Sequence, residues 1–138
     1  MEIRATVRSA ASEHRAMVST EGRTSPVAIP VRSGGGSSVN GGELLCLALA
    51  TCYCNDLYRE AARRGIVLDG VEVEAVAEFG GRGEPARRIT YAAHVTSDAP
   101  ADRIDALIRE TDAVAEVHNT LRAGIAVELR TQRPAPAP

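Results

Sequence analysis

Aromatic side chains are nearly missing from this chain: its 138 residues include no tryptophan, one phenylalanine and three tyrosines. The 16 basic residues are scattered rather than gathered into a stripe. With few platforms for base stacking, no basic face and a formal net charge of −2, the sequence carries no footprint of nucleic-acid binding. Long apolar runs are missing as well. The longest, residues 44–54, falls well short of the about 20 residues that a membrane-spanning helix requires. The start, Met1-Glu-Ile-Arg-Ala-Thr6, lacks the apolar core of a signal peptide. Cysteine is sparse too: Cys46, Cys52 and Cys54 are an odd set clustered in one stretch, unlike the disulfide framework of a small secreted domain. The expectation is a cytoplasmic protein with neither a nucleic-acid nor a membrane partner.

The length suits one domain, expected over residues 1–130, with residues 131–138 as a disordered Pro/Ala tail. Residues 2–8 alternate Ile3, Ala5 and Val7 with polar neighbours, the period-two pattern of a strand. Residues 15–20 and 26–31 are expected as two further strands around a turn at Glu21-Gly22-Arg23. A glycine-rich loop follows, residues 32–42. No Gly-Lys-Ser/Thr closes it, so it is not a phosphate-binding P-loop.

Residues 43–64 form the expected dominant helix, with Glu43 in its first turn, where a carboxylate favours the dipole, and Gly65 as its stop. The first half is apolar on almost every side, which implies cover that one sheet cannot supply and so a partner subunit. Residues 71–79 and 89–97 are expected as a hairpin around Gly80-Gly-Arg-Gly-Glu-Pro85. A second helix opens at Asp98-Ala-Pro100, a short helical segment runs through 114–121, and 124–129 is expected as a last strand. Strands grouped around two main helices indicate an α+β fold with antiparallel sheets.

Two separated segments carry chemistry. The first is Asn40-Gly41-Gly42-Glu43-Leu44-Leu45, followed by Ala50-Thr51-Cys52; the second is Ala115-Glu116-Val117-His118-Asn119-Thr120-Leu121. In this order, with Gly65-Ile-Val-Leu68 and Val71-Glu-Val73 between them, the chain resembles the osmotically inducible protein C (OsmC) and organic hydroperoxide resistance (Ohr) superfamily over about residues 1–130. The resemblance implies an intertwined homodimer, with sheets wrapped around two central helices and active sites at the interface. It implies reduction of organic hydroperoxides by a cysteine thiolate, with a thiol reductant restoring the enzyme. By resemblance Cys52 is the peroxidatic thiol, Glu43 the orienting carboxylate and Arg15 the activating arginine, with Arg23 as the other candidate. Two positions depart from the family pattern: Gly42 replaces a usual proline, and Ala115 stands where the resolving cysteine is expected.

A thiol with an ordinary pKa near 8.5 is mostly protonated at neutral pH, so a peroxidatic cysteine needs a nearby cation. Asp56, one turn beyond Cys52, acts against activation, and Arg59 is placed to pair with Asp56 and blunt it. No other cysteine replaces the missing one. At about 100° per residue, Cys54 projects about 160° from Cys52, and Cys46 lies about 120° away and more than a turn distant. A disulfide needs Cβ atoms about 4 Å apart, which an intact helix denies to both pairs. His118 with Cys52, or with His94 or His14, lacks the spacing of a nucleophilic pair or a metal site, and a helix-capping or interface role is expected. No cofactor and no metal are expected. Three readings stay open: a one-cysteine peroxidase, a dimer of this fold that binds a small hydrophobic or electrophilic ligand at its interface, and a structural dimer without chemistry.

Overall fold

The computed structural model describes residues 1–130; the expected tail at 131–138 lies outside them. Among these residues the fold is α+β, with two antiparallel sheets and three helices. Strands β1 (Ile3–Ser9), β2 (His14–Thr20) and β3 (Arg23–Val27) form one sheet in that order. Helix α1 (Gly41–Arg63) follows, then the hairpin β4 (Gly70–Phe79) and β5 (Ala86–Thr96), and finally helices α2 (Ala101–Asp112) and α3 (Glu116–Ala123).

β3 lies earlier than the expected 26–31, and the reason is the turn. Glu21 and Gly22 both have positive φ, 48° and 81°, so a two-residue primed turn pairs Thr20 with Arg23. Pro26 is then inside the strand, tolerated because β3 is the edge of its sheet. The expected strand at 124–129 is not formed among the described residues. Ile125, Val127 and Leu129 keep the alternation of a strand, but no described strand pairs with them, and Val127 is 99% exposed.

The core lies between α1, the β4–β5 hairpin and the two shorter helices. Tyr53, Leu57 and Ala61 of α1 pack with Ile66, Leu107 and Ala115, and Val71, Val73, Tyr91, Ala93 and Val95 close over them from the hairpin. These strand residues all sit on one face, as the period-two alternation requires, with Glu72, Glu74 and Glu78 facing outward. In the single chain the first half of α1 is only partly covered. Leu49 is buried there, whereas Leu47 is 59% exposed and Ala48 and Thr51 are exposed.

Both ends of α1 are fixed locally. Asn40 is the N-cap: its side chain accepts from the Glu43 backbone N–H at 2.8 Å, and Glu43 accepts from the Asn40 N–H at 3.0 Å. This reciprocal capping box satisfies two backbone donors and is worth about 1 kcal/mol. At the other end Gly65, with φ +66°, adopts the left-handed conformation that ends helices. The rigid helix carries Cys52 at its middle.

Candidate functional site

Cys52 lies where α1 meets the start of α3, so folding brings the two chemistry-bearing segments into contact. Its Sγ is 3.6 Å from Asp56 Oδ2, one turn further along the helix, and 4.0 Å from Glu116 Oε2 in the first turn of α3. The Val117 backbone at the start of α3 favours the ionised sulfur. All three cysteines are free thiols of intermediate exposure.

The electrostatics of this contact oppose ionisation. Burial pushes the Cys52 thiol above its ordinary pKa; the Val117 backbone works the other way; Asp56 and then Glu116 raise it again. Asp56, whose side chain is only 5% exposed, is itself held above the usual carboxylate range, chiefly by burial and against the pull of Arg59. Arg59 is the local counter-charge: it lies 2.7 Å from Asp56, 3.2 Å from Glu60 and 3.8 Å from Glu116. The expected Asp56–Arg59 pair is therefore present. Glu116 was not singled out by the sequence, although it directly follows Ala115, the position the family pattern places against the cysteine.

The sulfur and one oxygen of each carboxylate lie within 4.8 Å of one another, a set of atoms that could ligate a cation. Arg59 already stands beside both carboxylates. A metal would have to displace this guanidinium, and the set carries no metal assignment.

The remaining expected site residues are elsewhere. Glu43 is engaged in the capping box at the head of α1. Arg15, exposed on β2, pairs with Glu13 at 2.6 Å, and Arg23 is exposed at the start of β3. No hydrogen bond or ion pair among the described residues joins Arg15 or Arg23 to Glu43 or Cys52. Ala115 is fully buried in the core cluster at the N-terminal boundary of α3.

His118 is not a helix cap. The N-cap of α3 is Ala115 and it makes no side-chain capping bond. The His118 ring is buried, with its centroid 4.5 Å from that of Tyr91 and 5.8 Å from that of Tyr53. Its position three residues after Ala115, on the same helical face, is the signal that would have placed it inward.

The profile of OsmC-like proteins matches residues 34–130, which include both segments that meet at Cys52. Solved structures share the fold. An OsmC-like protein from Mycoplasma pneumoniae is similar at TM-score 0.62 and 14% identity, covering 88% of this chain and 89% of that one. An organic hydroperoxide resistance protein from Elizabethkingia anophelis gives 0.60 and 16%, covering 88% and 89%. An organic hydroperoxide resistance protein, OsmC, from Legionella pneumophila gives 0.58 and 19%, covering 88% and 90%. No curated protein matches the sequence. Identities this low speak to fold alone, whereas the profile spans most of the chain. The chain belongs to the OsmC-like protein family.

Proposed function

We propose that this protein is a one-cysteine thiol peroxidase that reduces organic hydroperoxides, with Cys52 as the peroxidatic residue. One observation carries the reading: in an OsmC-like chain, a free and partly accessible Cys52 is held directly against the segment that begins at Ala115. The Cys52 sulfur attacks the terminal oxygen of the hydroperoxide and the O–O bond breaks. The alcohol leaves with the thiol proton, and Cys52 becomes a sulfenic acid. Ala115 offers no sulfur to trap it, so two equivalents of an external thiol restore Cys52, forming their own disulfide and water.

The cation this chemistry needs is assigned to Arg15, with Arg23 as the alternative, oriented by Glu43 across a homodimer interface in the cytoplasm. Support for the dimer comes from exposed apolar side chains. Leu47 lies open on the first half of α1, and Ile3, Val7, Met17 and Val18 lie open on the N-terminal sheet.

Intact-protein mass spectrometry with a sulfenic-acid trap and one equivalent of cumene hydroperoxide tests the reading. Rapid trapping is expected in the wild type, faster than with hydrogen peroxide, and none at this position in Cys52→Ser. Trapping no faster than on a model thiol would overturn it.

A second reading rests on the carboxylates: Asp56 and Glu116 beside the sulfur suit a protonated thiol in a ligand-binding dimer of this fold. Asp56→Asn distinguishes the two. It removes a raising charge and an acceptor, so the pH midpoint of iodoacetamide alkylation at Cys52 shifts downward and the rate at pH 7 rises several-fold. A parallel rise in cumene hydroperoxide turnover supports the peroxidase; faster alkylation without turnover supports the binding protein.

A further inference from the structure

A cavity of about 130 Å³ opens between α1, β5 and α3. Leu49, Ile89 and Leu121 give it aliphatic walls, and Tyr91, His118 and Arg122 complete the lining. Cys52 does not line it, so a ligand held there is independent of the peroxidase reading.

His118 is the unusual member. It is 3% exposed, and neither ring nitrogen has a hydrogen-bond partner among the described residues. Buried polar side-chain atoms are almost always partnered in folded proteins. The neighbouring hydroxyls are committed elsewhere: Tyr53 donates to the Ile108 carbonyl and Tyr91 to Asp112. Arg122 does not fill the gap either, because it pairs with Asp112 at 2.7 Å. Burial, followed by the nearby Arg122 charge, holds His118 below its ordinary pKa. A neutral imidazole offers one donor and one acceptor.

The cavity thus combines apolar walls, one unpaired imidazole and a charge pair that is already neutralised. A charged head group would face burial without a free counter-ion, whereas an uncharged one would not. Its size compares with the roughly 150 Å³ cavity that accepts benzene and is about tenfold the space one water needs. We propose that this cavity binds an uncharged amphiphile of about six heavy atoms bearing one hydroxyl or carbonyl group. The polar group pairs with His118, and the apolar body rests against Leu49, Ile89 and Leu121.

Phenol is the probe, with benzene as its apolar counterpart, added to the full 15N-labelled chain. Phenol is expected to shift the His118 ring-nitrogen resonances saturably, and benzene to bind without a comparable shift. His118→Phe keeps a planar ring and removes the nitrogens; phenol affinity then falls about fivefold, the size of one net hydrogen bond, while benzene affinity holds. Leu121→Trp at the partly exposed rim fills the space and abolishes both, which keeps the test decisive if His118→Phe does not fold. No saturable shift with millimolar phenol, equal phenol binding in His118→Phe, or a shift that survives in a folded Leu121→Trp each overturns the proposal.

Discussion

Truncating Leu57 to alanine is expected to lower the unfolding free energy by about 2–5 kcal/mol, read from the urea midpoint at unchanged slope. Leu57 has no exposed surface and packs among Tyr53, Ala61, Leu107 and Ala115, contributed by α1, α2 and the boundary of α3. Its removal leaves a cavity that these elements cannot close by moving independently. Against a typical total of about 5–15 kcal/mol, the loss is large enough to populate unfolded chains at 37 °C. Leu47, on the first half of the same helix, is the contrast. At 59% exposure its truncation costs the single chain little. A loss at Leu47 comparable to that at Leu57 would mean that a second copy covers it, and a small loss at Leu57 would contradict the packing of this core.

Arg59→Ala is expected to act on stability and on the thiol together. Arg59 lies against Asp56, Glu60 and Glu116, and Asp56 is 5% exposed where Arg59 is 44% exposed. Removing one partner of a fully buried pair costs about 3–5 kcal/mol; with Arg59 half in water, about 2–3 kcal/mol is the reasonable expectation. The deficit has a pH signature. Burial already raises the folded-state pKa of Asp56, and Arg59 is the main influence lowering it. Without Arg59 that pKa rises further above its unfolded value. The cost therefore grows as pH rises through the carboxylate range to neutrality, and it shrinks in acid, where Asp56 is protonated in both states. Since Arg59 also offsets the two carboxylates beside Cys52, alkylation at pH 7 slows in the variant. A pH-independent deficit, or alkylation at the wild-type rate, would show that Arg59 does not compensate this site.

Much of the fold was legible because local signals agreed with tertiary needs. The strict alternation from Val71 to Phe79 became β4 with Val71 and Val73 inward. Gly65 ended α1 as expected, and the Asn40–Glu43 pair fixed its start. Legibility failed where pairing partners or turn geometry decided the outcome. Pro26 looked like the start of a strand, but the primed turn at Glu21-Gly22 set the register three residues earlier. The alternation of Ile125, Val127 and Leu129 reports a preference that requires an edge to pair with, and sequence does not reveal whether that edge belongs to the same chain.

At the candidate site, the Asp56–Arg59 pair was readable because three-residue spacing on one helix places side chains together. Glu116 was not, since its contact with Cys52 spans 64 positions and depends on how α3 docks. The capping role expected of His118 failed for the same reason. Its burial follows from the inward face of α3, which the short segment shows only once Ala115 is known to lie in the core.

The N-terminal sheet has a consequence for how the protein melts. β1 and β3 bury none of their residues, so in the single chain the three strands are held mainly by their ladder hydrogen bonds. Such a unit opens at a lower free energy than the α1-centred core, and its backbone amides exchange with solvent first. Any association that covers the sheet adds stability by mass action. The melting temperature then becomes a function of protein concentration, with a dilute sample losing its N-terminal strands before its core.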